Sequence, residues 1–172
     1  MKFFKIFLVF LVVFFSTHDV CAMNNLKRPR INTPVSEKEL IVALENSHKK
    51  VFGYYPSKYR LFAAWAQTSL ETGKGKLVYN RNIANIGAAK NQTYYVVSTH
   101  RYRHFLSIEE SATVYWNILR KCSQALNSFD NGDMLKAAIS LKRCRYFDAD
   151  EKIYGRIMSS LFNEAYRKYG NL

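Results

Sequence analysis

Apolar residues recur with helical spacing in two stretches of the first half of the chain. The first stretch begins at Ser36 and Glu39, whose spacing is that of a capping box, and it ends at Gly53. The second follows Pro56, a residue that is favoured where helices begin. Its apolar positions predict one buried helix face, formed by Tyr59, Phe62, Ala63, Ala66 and Leu70.

The pattern changes between residues 73 and 105. Glycines and asparagines come first, followed by the run TYYVVSTHRYRHF, in which β-branched and aromatic residues predominate. This composition predicts a short hairpin or an irregular β lobe directly after the second helix.

Helical spacing returns at Ser107 and Glu110, which form a second capping-box pair. The apolar face of this third predicted helix consists of Ile108, Ala112, Tyr115, Leu119, Cys122 and Leu126. A turn at residues 130–132 leads to a short fourth helix, and Asp148 and Asp150 can cap a last one. The predicted fold class is mainly α, with about five helices and one short β lobe.

Residues 1–22 have the pattern of a secretory signal peptide: two lysines, a short apolar run, and small residues before a cleavage site after Ala22. The apolar run is too short for a comfortable membrane span, and no later segment is apolar enough to replace it. We therefore expect a periplasmic or secreted protein, with an extended arm over residues 23–36 and one folded domain over residues 37–172.

The chain is strongly basic, with 26 Lys and Arg against 13 Asp and Glu and a formal net charge of +13. Such a surface favours a polyanionic partner, and bacterial wall polymers, nucleic acid and anionic lipid all qualify. For any single residue, a basic surface that is merely solvated is the alternative. The charge alone therefore does not select a partner.

Cysteine and histidine usage narrows the chemistry. Cys21 lies within the predicted signal peptide, which leaves Cys122 and Cys144. An even pair in an exported protein predicts one disulfide, and two buried free thiols are the alternative. The four histidines show no ligand spacing with cysteines or acids, and the sequence has no glycine-rich phosphate loop, so we expect no metal and no other cofactor.

The stretch AQTSLETGKGKLVYNRNIANIGAAK, residues 66–90, resembles the peptidoglycan endo-β-N-acetylglucosaminidases of the flagellar-muramidase type, in the lysozyme-like superfamily. Their signature is a helix that ends in L-E-[ST]-G-x-G and is followed by an Asn-rich loop that reaches a Gly. Three further stretches resemble the family in order: RHF leading to SIEESATVYWNIL, then AAISLKRCRYFDAD, then EKIYGRIMSSL. The similarity spans residues 37–169 and implies an α+β lysozyme-like domain.

The resemblance implies that Glu71 is the catalytic general acid, and the local sequence supports this role. Gly73 and Gly75 place Glu71 in the last turn of a core-packed helix, where the helix dipole and aromatic neighbours disfavour the ionised carboxylate. A Glu that simply reaches water from a helix end is the alternative. Tyr146 falls where the family places a tyrosine beside the catalytic acid, and a core aromatic is the alternative.

Candidate substrate-binding residues surround this acid in the sequence. Gln67 lies one helical turn before Glu71 and shares its face. Asn85 could position a sugar acetamido group or satisfy the loop backbone, whereas we favour the loop role for Asn82.

The predicted β lobe offers a basic and an aromatic face. Tyr102 alternates with Arg101 and Arg103, so on a strand these side chains would point to opposite sides. The arginines could hold peptide carboxylates or wall polyanions, and an ordinary solvated edge is the alternative.

A second catalytic carboxylate is missing where related glucosaminidases place one. Between Glu71 and Glu109 the sequence contains no Asp or Glu, which puts a two-carboxylate mechanism in doubt. Helix capping explains the later acids Glu109, Glu110 and Asp150 equally well. A single-acid route is open in which the acetamido oxygen or the 6-hydroxyl of the substrate attacks the anomeric carbon.

These features predict a peptidoglycan glycosidase, in the first place an N-acetylglucosaminidase. A muramidase or a lytic transglycosylase on the same fold is an alternative, and so is a catalytically inactive cationic wall-binding protein. The expected partners are peptidoglycan glycan strands and anionic wall polymers. We expect no nucleic-acid partner, no stable membrane insertion, and a monomer.

Overall fold

The computed structural model describes residues 29–87 and 102–171, which fold into six α-helices. They are α1 (Glu37–Phe52), α2 (Lys58–Thr72), α3 (Ile108–Arg120), α4 (Ser123–Asp130), α5 (Met134–Arg143) and α6 (Glu151–Tyr169). None of these helices is long and apolar enough to cross a membrane. The predicted signal peptide, residues 1–22, lies outside the described residues.

The second helix is the centre of the molecule. Every residue of α2 from Arg60 to Ser69 is buried, and the helix packs against α1, α4 and α6. Alanines alternate with large side chains such as Phe62 and Trp65, so neighbouring helices approach closely on several sides. α2 is therefore held along its length, and the position of its last turn is fixed by the core.

Helix caps anchor the starts of the helices. Ser36 and Glu39 form the predicted capping box of α1, and the side chain of Ser107 caps α3. Asp150 accepts hydrogen bonds from two backbone N–H groups at the start of α6. α2 begins at Lys58, two residues later than the predicted start at Pro56, because Ser57 provides its cap.

The third predicted helix is two helices. α3 ends at Arg120 and α4 begins at Ser123, with Cys122 between them in a non-helical conformation. Both helices turn their apolar residues toward the same core, so the periodicity continues across the break and hides it. The predicted disulfide between Cys122 and Cys144 is present and ties this break to the end of α5.

The described part of the N-terminal arm is extended against the segment that follows α2. The N–H of Val35 donates to the carbonyl of Gly75 at 2.9 Å, and the N–H of Asn80 donates to the carbonyl of Ile31 at 2.8 Å. Gly75 has φ 83°, and a Cβ there would lie 2.2 Å from the carbonyl oxygen of Val35. Only glycine allows this contact, which holds the arm behind the end of α2.

Most of the predicted β lobe, including Arg101, lies outside the described residues. In the ranges that the structure covers, β pairing is limited to isolated antiparallel bridges: Asn32 with Tyr79, Tyr79 with Asn82, and Gly87 with Tyr102.

A buried polar network joins three helices far from the end of α2. Arg60 forms a two-pronged ion pair with Asp130 at the end of α4, and its Nη1 lies 3.2 Å from Nε2 of His48 on α1. Nδ1 of His48 lies 2.9 Å from the carbonyl of Tyr54. The guanidinium of Arg60 can only donate hydrogen bonds, so Nε2 of His48 accepts this one and carries no proton. His48 is therefore neutral, with its proton on Nδ1.

Candidate active site

Glu71 lies in the last turn of α2. Gly73 ends the helix in the left-handed conformation, with φ 56° and ψ 49°. The carboxyl group of Glu71 is half-buried and faces a cleft of about 360 Å³. The placement of this carboxylate at a helix C-terminus agrees with the sequence prediction.

The surroundings of Glu71 favour its protonated form. Burial raises the pKa of the carboxyl group, and hydrogen bonds from Tyr154 and Asn85 only partly offset that rise. The hydroxyl of Tyr154 donates to Oε1 at 2.8 Å, and Nδ2 of Asn85 donates to the backbone carbonyl of Glu71 at 2.6 Å. The site thus holds an acid that keeps its proton longer than a solvated Glu and has donors ready for its anion.

Tyr154 is a site residue that the sequence analysis missed. It lies on α6, where its spacing marks it only as part of an apolar helix face. Its ring is stacked on Phe147 with centroids 3.7 Å apart, which fixes its direction toward Glu71. Burial and the neighbouring charges of Glu71 and Tyr146 raise the pKa of its hydroxyl, so Tyr154 remains a hydrogen-bond donor.

Tyr146 lines the same cleft as Glu71. Its hydroxyl is buried, and no polar atom in the described parts of the chain is within hydrogen-bond distance of it. Burial, with a further contribution from the charge of Glu71, raises the pKa of this hydroxyl. The structure therefore brings Tyr146 to the acid as a neutral phenol.

Gln67 lies beneath the site rather than in the cleft. It has no exposed surface, and its Oε1 accepts a hydrogen bond from the hydroxyl of Tyr115 at 2.7 Å. The prediction that Gln67 contacts substrate does not fit this position, because α2 is enclosed on that side. Gln67 instead links the helix that carries Glu71 to α3.

The loop after α2 is built to present Asn85. The side chain of Asn82 is buried and bonds both the N–H (2.8 Å) and the carbonyl (3.0 Å) of Ile86, which is the predicted loop role. Asn85 adopts the left-handed conformation with φ 48°, a conformation that Asn tolerates better than most residues. The result is an amide that is aimed at Glu71.

The remaining cleft wall is aromatic and basic. Tyr102 and Arg103 line it, and Nε of Arg103 donates to the carbonyl of Gly87 at 3.0 Å. The sequence analysis did not identify Arg145 or Phe147, which complete the wall after α5. Predicted residues Glu71, Asn85, Tyr102, Arg103 and Tyr146 thus meet at one cleft, whereas Arg101 lies outside the described residues.

No second acid lines the cleft within residues 29–87 and 102–171. Residues 88–101, which lie outside the described ranges, contain neither Asp nor Glu. Acids elsewhere have structural partners: Glu110 and Asp150 cap helices, and Glu164 forms an ion pair with Lys74. No group of three metal-ligating side chains occurs among the described residues.

Two solved structures have a similar fold. A peptidoglycan hydrolase from Sphingomonas sp. A1 is 21% identical with a TM-score of 0.56, over 77% of this chain and 92% of that chain. The glycoside hydrolase domain of FlgJ from Salmonella typhimurium is 16% identical with a TM-score of 0.54, over 80% of this chain and 92% of that domain. No protein-family model and no curated protein matches the sequence. The structural likeness confirms the predicted mainly α, lysozyme-like fold class.

Proposed function

We propose that this chain, which has the fold of these hydrolases, is a peptidoglycan glycosidase with Glu71 as its general acid. The observation that carries the proposal is the state of Glu71: a half-buried carboxyl group with a raised pKa, facing a cleft and hydrogen-bonded by Tyr154. A raised pKa is what a general acid requires near neutral pH. The name of the Sphingomonas neighbour supports peptidoglycan as the substrate, and the name of the Salmonella domain supports glycoside hydrolysis as the reaction.

In the proposed mechanism, Glu71 transfers its proton to the glycosidic oxygen as the bond from that oxygen to the anomeric carbon breaks. The carboxylate left behind accepts a hydrogen bond from Tyr154, whose donor is already in place, while Asn85 holds the backbone carbonyl of the same residue. Because no second acid lines the cleft among the described residues, the acetamido oxygen of the substrate attacks the anomeric carbon. Glu71 then takes a proton from the water that opens this intermediate.

The bond that we propose is cut is the one that leaves a reducing-end N-acetylglucosamine. Cleavage as a muramidase would leave reducing-end muramic acid. Attack by the 6-hydroxyl would leave an anhydro-muramic product instead. The first two products have the same mass and composition and differ in which sugar carries the reducing end, so borohydride reduction followed by tandem mass spectrometry distinguishes them. The anhydro product is lighter by one water and has no reducing end.

The decisive experiment is mass spectrometry of purified peptidoglycan after digestion by the wild type and by Glu71→Gln. Gln keeps the shape of Glu but has no proton to transfer, so product formation should fall about a hundredfold to ten-thousandfold. Glu109→Gln is the matched control, because Glu109 is exposed in the first turn of α3. Equal activity of Glu71→Gln and wild type would refute the proposal.

A catalytically inactive, cationic wall-binding protein is the second candidate. In the part of the chain that the structure describes, no second acid lines the cleft, which favours this candidate, since related enzymes usually use two carboxylates. It predicts binding to sacculi with no new reducing ends from any substrate. The intact environment of Glu71 favours the enzyme.

We also propose that the protein acts outside the cytoplasm as a monomer. The Cys122–Cys144 disulfide supports an oxidising compartment, which agrees with the predicted signal peptide. Detection of the chain in the periplasm or medium, shortened at its N-terminus, would test this proposal.

A further inference from the structure

Arg145 occupies an unusual backbone position at the cleft. It directly follows the disulfide-bonded Cys144, directly precedes Tyr146, and adopts the left-handed conformation with φ 57°. That conformation disfavours residues with a long side chain and suits Gly or Asn better. Arg81 shares the conformation, with φ 58°, but does not line the cleft.

The guanidinium of Arg145 is exposed, and within the described ranges it forms no ion pair and no hydrogen bond. Some cations of the molecule are engaged by acids: Arg60 pairs with Asp130, and Lys74 with Glu164. Glu71, the one acid that lines the cleft among the described residues, is bonded by Tyr154 instead. The cleft wall therefore presents a positive group with its donors available to a ligand.

The position of Arg145 is held from both sides. Its N–H donates to the carbonyl of Lys142 at 2.9 Å, and the N–H of Tyr146 donates to the carbonyl of Leu141 at 3.0 Å. The disulfide fixes the preceding residue to the start of α4. The backbone that carries the Arg145 side chain is thus held in place at the cleft, so its Cα position needs no reordering when a ligand binds.

We infer that Arg145 binds a carboxylate of the substrate, and that the cleft therefore prefers glycan strands that still carry their stem peptides. The planar guanidinium matches a carboxylate with two parallel hydrogen bonds. Stem peptides supply such carboxylates along an otherwise neutral glycan. This inference rests on the proposed function and adds a substrate preference to it.

The test compares Arg145→Asn with Arg81→Asn on soluble glycan strands, with stem peptides present, or with the peptides enzymatically removed and the freed lactyl carboxyl groups converted to neutral amides. Both variants lose one positive charge from an exposed left-handed position, and Asn tolerates that backbone, so both should fold. Binding is measured by calorimetry, and turnover in parallel. On peptide-bearing strands, Arg145→Asn should bind about tenfold or more weakly than wild type, whereas Arg81→Asn should differ little. On strands without peptides, Arg145→Asn and wild type should bind equally.

Three results would overturn the inference. Arg145→Asn could bind peptide-bearing strands as tightly as wild type, lose the same affinity on both kinds of strand, or weaken no more than Arg81→Asn. A loss seen only on strands with phosphate-containing wall polymers would assign the guanidinium to phosphate and also contradict the inference. If the wild type releases no products, the proposed function fails, while the binding comparison still decides the role of Arg145.

Discussion

At the scale of single residues, the main feature is Glu71, a carboxyl group that ionises less readily than a Glu in water. Burial raises the pKa of Glu71 above that of the unfolded chain. The stability of the folded state therefore falls as the pH rises from the pKa of Glu71 in the unfolded chain to its higher pKa in the folded protein. In this range the folded state still binds a proton that the unfolded chain has already released. Glu71 thus costs stability at neutral pH.

Glu71→Gln should accordingly unfold at the same or a higher temperature than wild type at neutral pH. The difference should be smallest in acid, grow as the pH rises through the folded pKa of Glu71, and then stay constant. Thermal unfolding of both proteins across this pH range measures it. The melting-temperature difference between Glu71→Gln and wild type should thus favour the variant more at neutral pH than in acid. The opposite trend would contradict the raised pKa of Glu71.

Tyr154→Phe should move the pH profile. The substitution keeps the stack on Phe147 but removes the donor that stabilises the Glu71 anion, so the pKa of Glu71 should rise further. The basic limb of the activity profile should move to higher pH, and kcat should fall about tenfold through loss of one charge-assisted hydrogen bond. Tyr166→Phe, an exposed position on the same helix, is the control. An unmoved basic limb would show that Tyr154 has only a packing role.

Sequence reasoning found the acid but only part of its surroundings. Glu71 and Asn85 lie close together in the chain, beside glycines and asparagines that mark the end of a helix. Tyr154 lies on α6 and Arg145 lies just after α5, and only the tertiary fold brings Tyr154 to Glu71 and Arg145 to the cleft. Their local patterns are those of an ordinary apolar face and an ordinary basic residue.

At the scale of helices, capping and periodicity predicted where most elements begin, because Ser36, Ser107 and Asp150 act through neighbours three residues away. The break between α3 and α4 could not be predicted in this way. Cys122 lies on the apolar face whether the segment forms one continuous helix or two. The chain leaves the direction of α3 so that α4 can pack against α5. Contacts between distant elements leave no periodic signal.

The network of α1, α2 and α4 should make stability fall in mild acid. Burial lowers the pKa of His48, so the folded state keeps this ring neutral and loses stability as the pH drops below the unfolded value, from about 7 toward 5. Thermal unfolding of His48→Gln should depend less on pH in this range, whatever its absolute stability. An unchanged slope would place the acid sensitivity elsewhere.

The disulfide should contribute stability through the loop that it closes. Cys122 and Cys144 are 22 residues apart, and closing a loop of about this length is worth about 3 kcal/mol in the chain-entropy model. The melting temperature should fall in reductant, and the double variant Cys122→Ala, Cys144→Ala should melt lower without responding to reductant. Titration of two free thiols in the folded, unreduced protein would contradict the bond.

At the scale of the whole molecule, the net charge of +13 bears on which partners the surface attracts rather than on the fold. Binding to intact sacculi should weaken as salt rises, because salt screens attraction between a basic surface and a polyanion. Turnover of short soluble glycans should barely change, since proton transfer from Glu71 is local. Sedimentation with sacculi across a salt series measures binding to the wall, and product release from short glycans in the same series measures turnover. Salt-independent sedimentation would make the charge a solubility feature.

Composition and order of elements were enough to predict the fold class, because a mostly helical chain of this size has few compact arrangements. The irregular segment after α2 was harder to predict. Its bridges depend on Asn82 and on contacts with the arm, not on alternation along a strand.

The length of α2 separates the residues that stabilise the fold from the residues that line the cleft, so stability and cleft shape can be altered independently. Arg60, which anchors the network near the start of the helix, and Glu71, near its end, are eleven residues apart, or about 16 Å along the axis. Substitutions at such a distance with no shared partners usually have additive effects. Directed evolution could therefore select stabilising substitutions around His48 and Arg60 in one round and cleft substitutions for new glycans in another. The selected substitutions could then be combined in one protein.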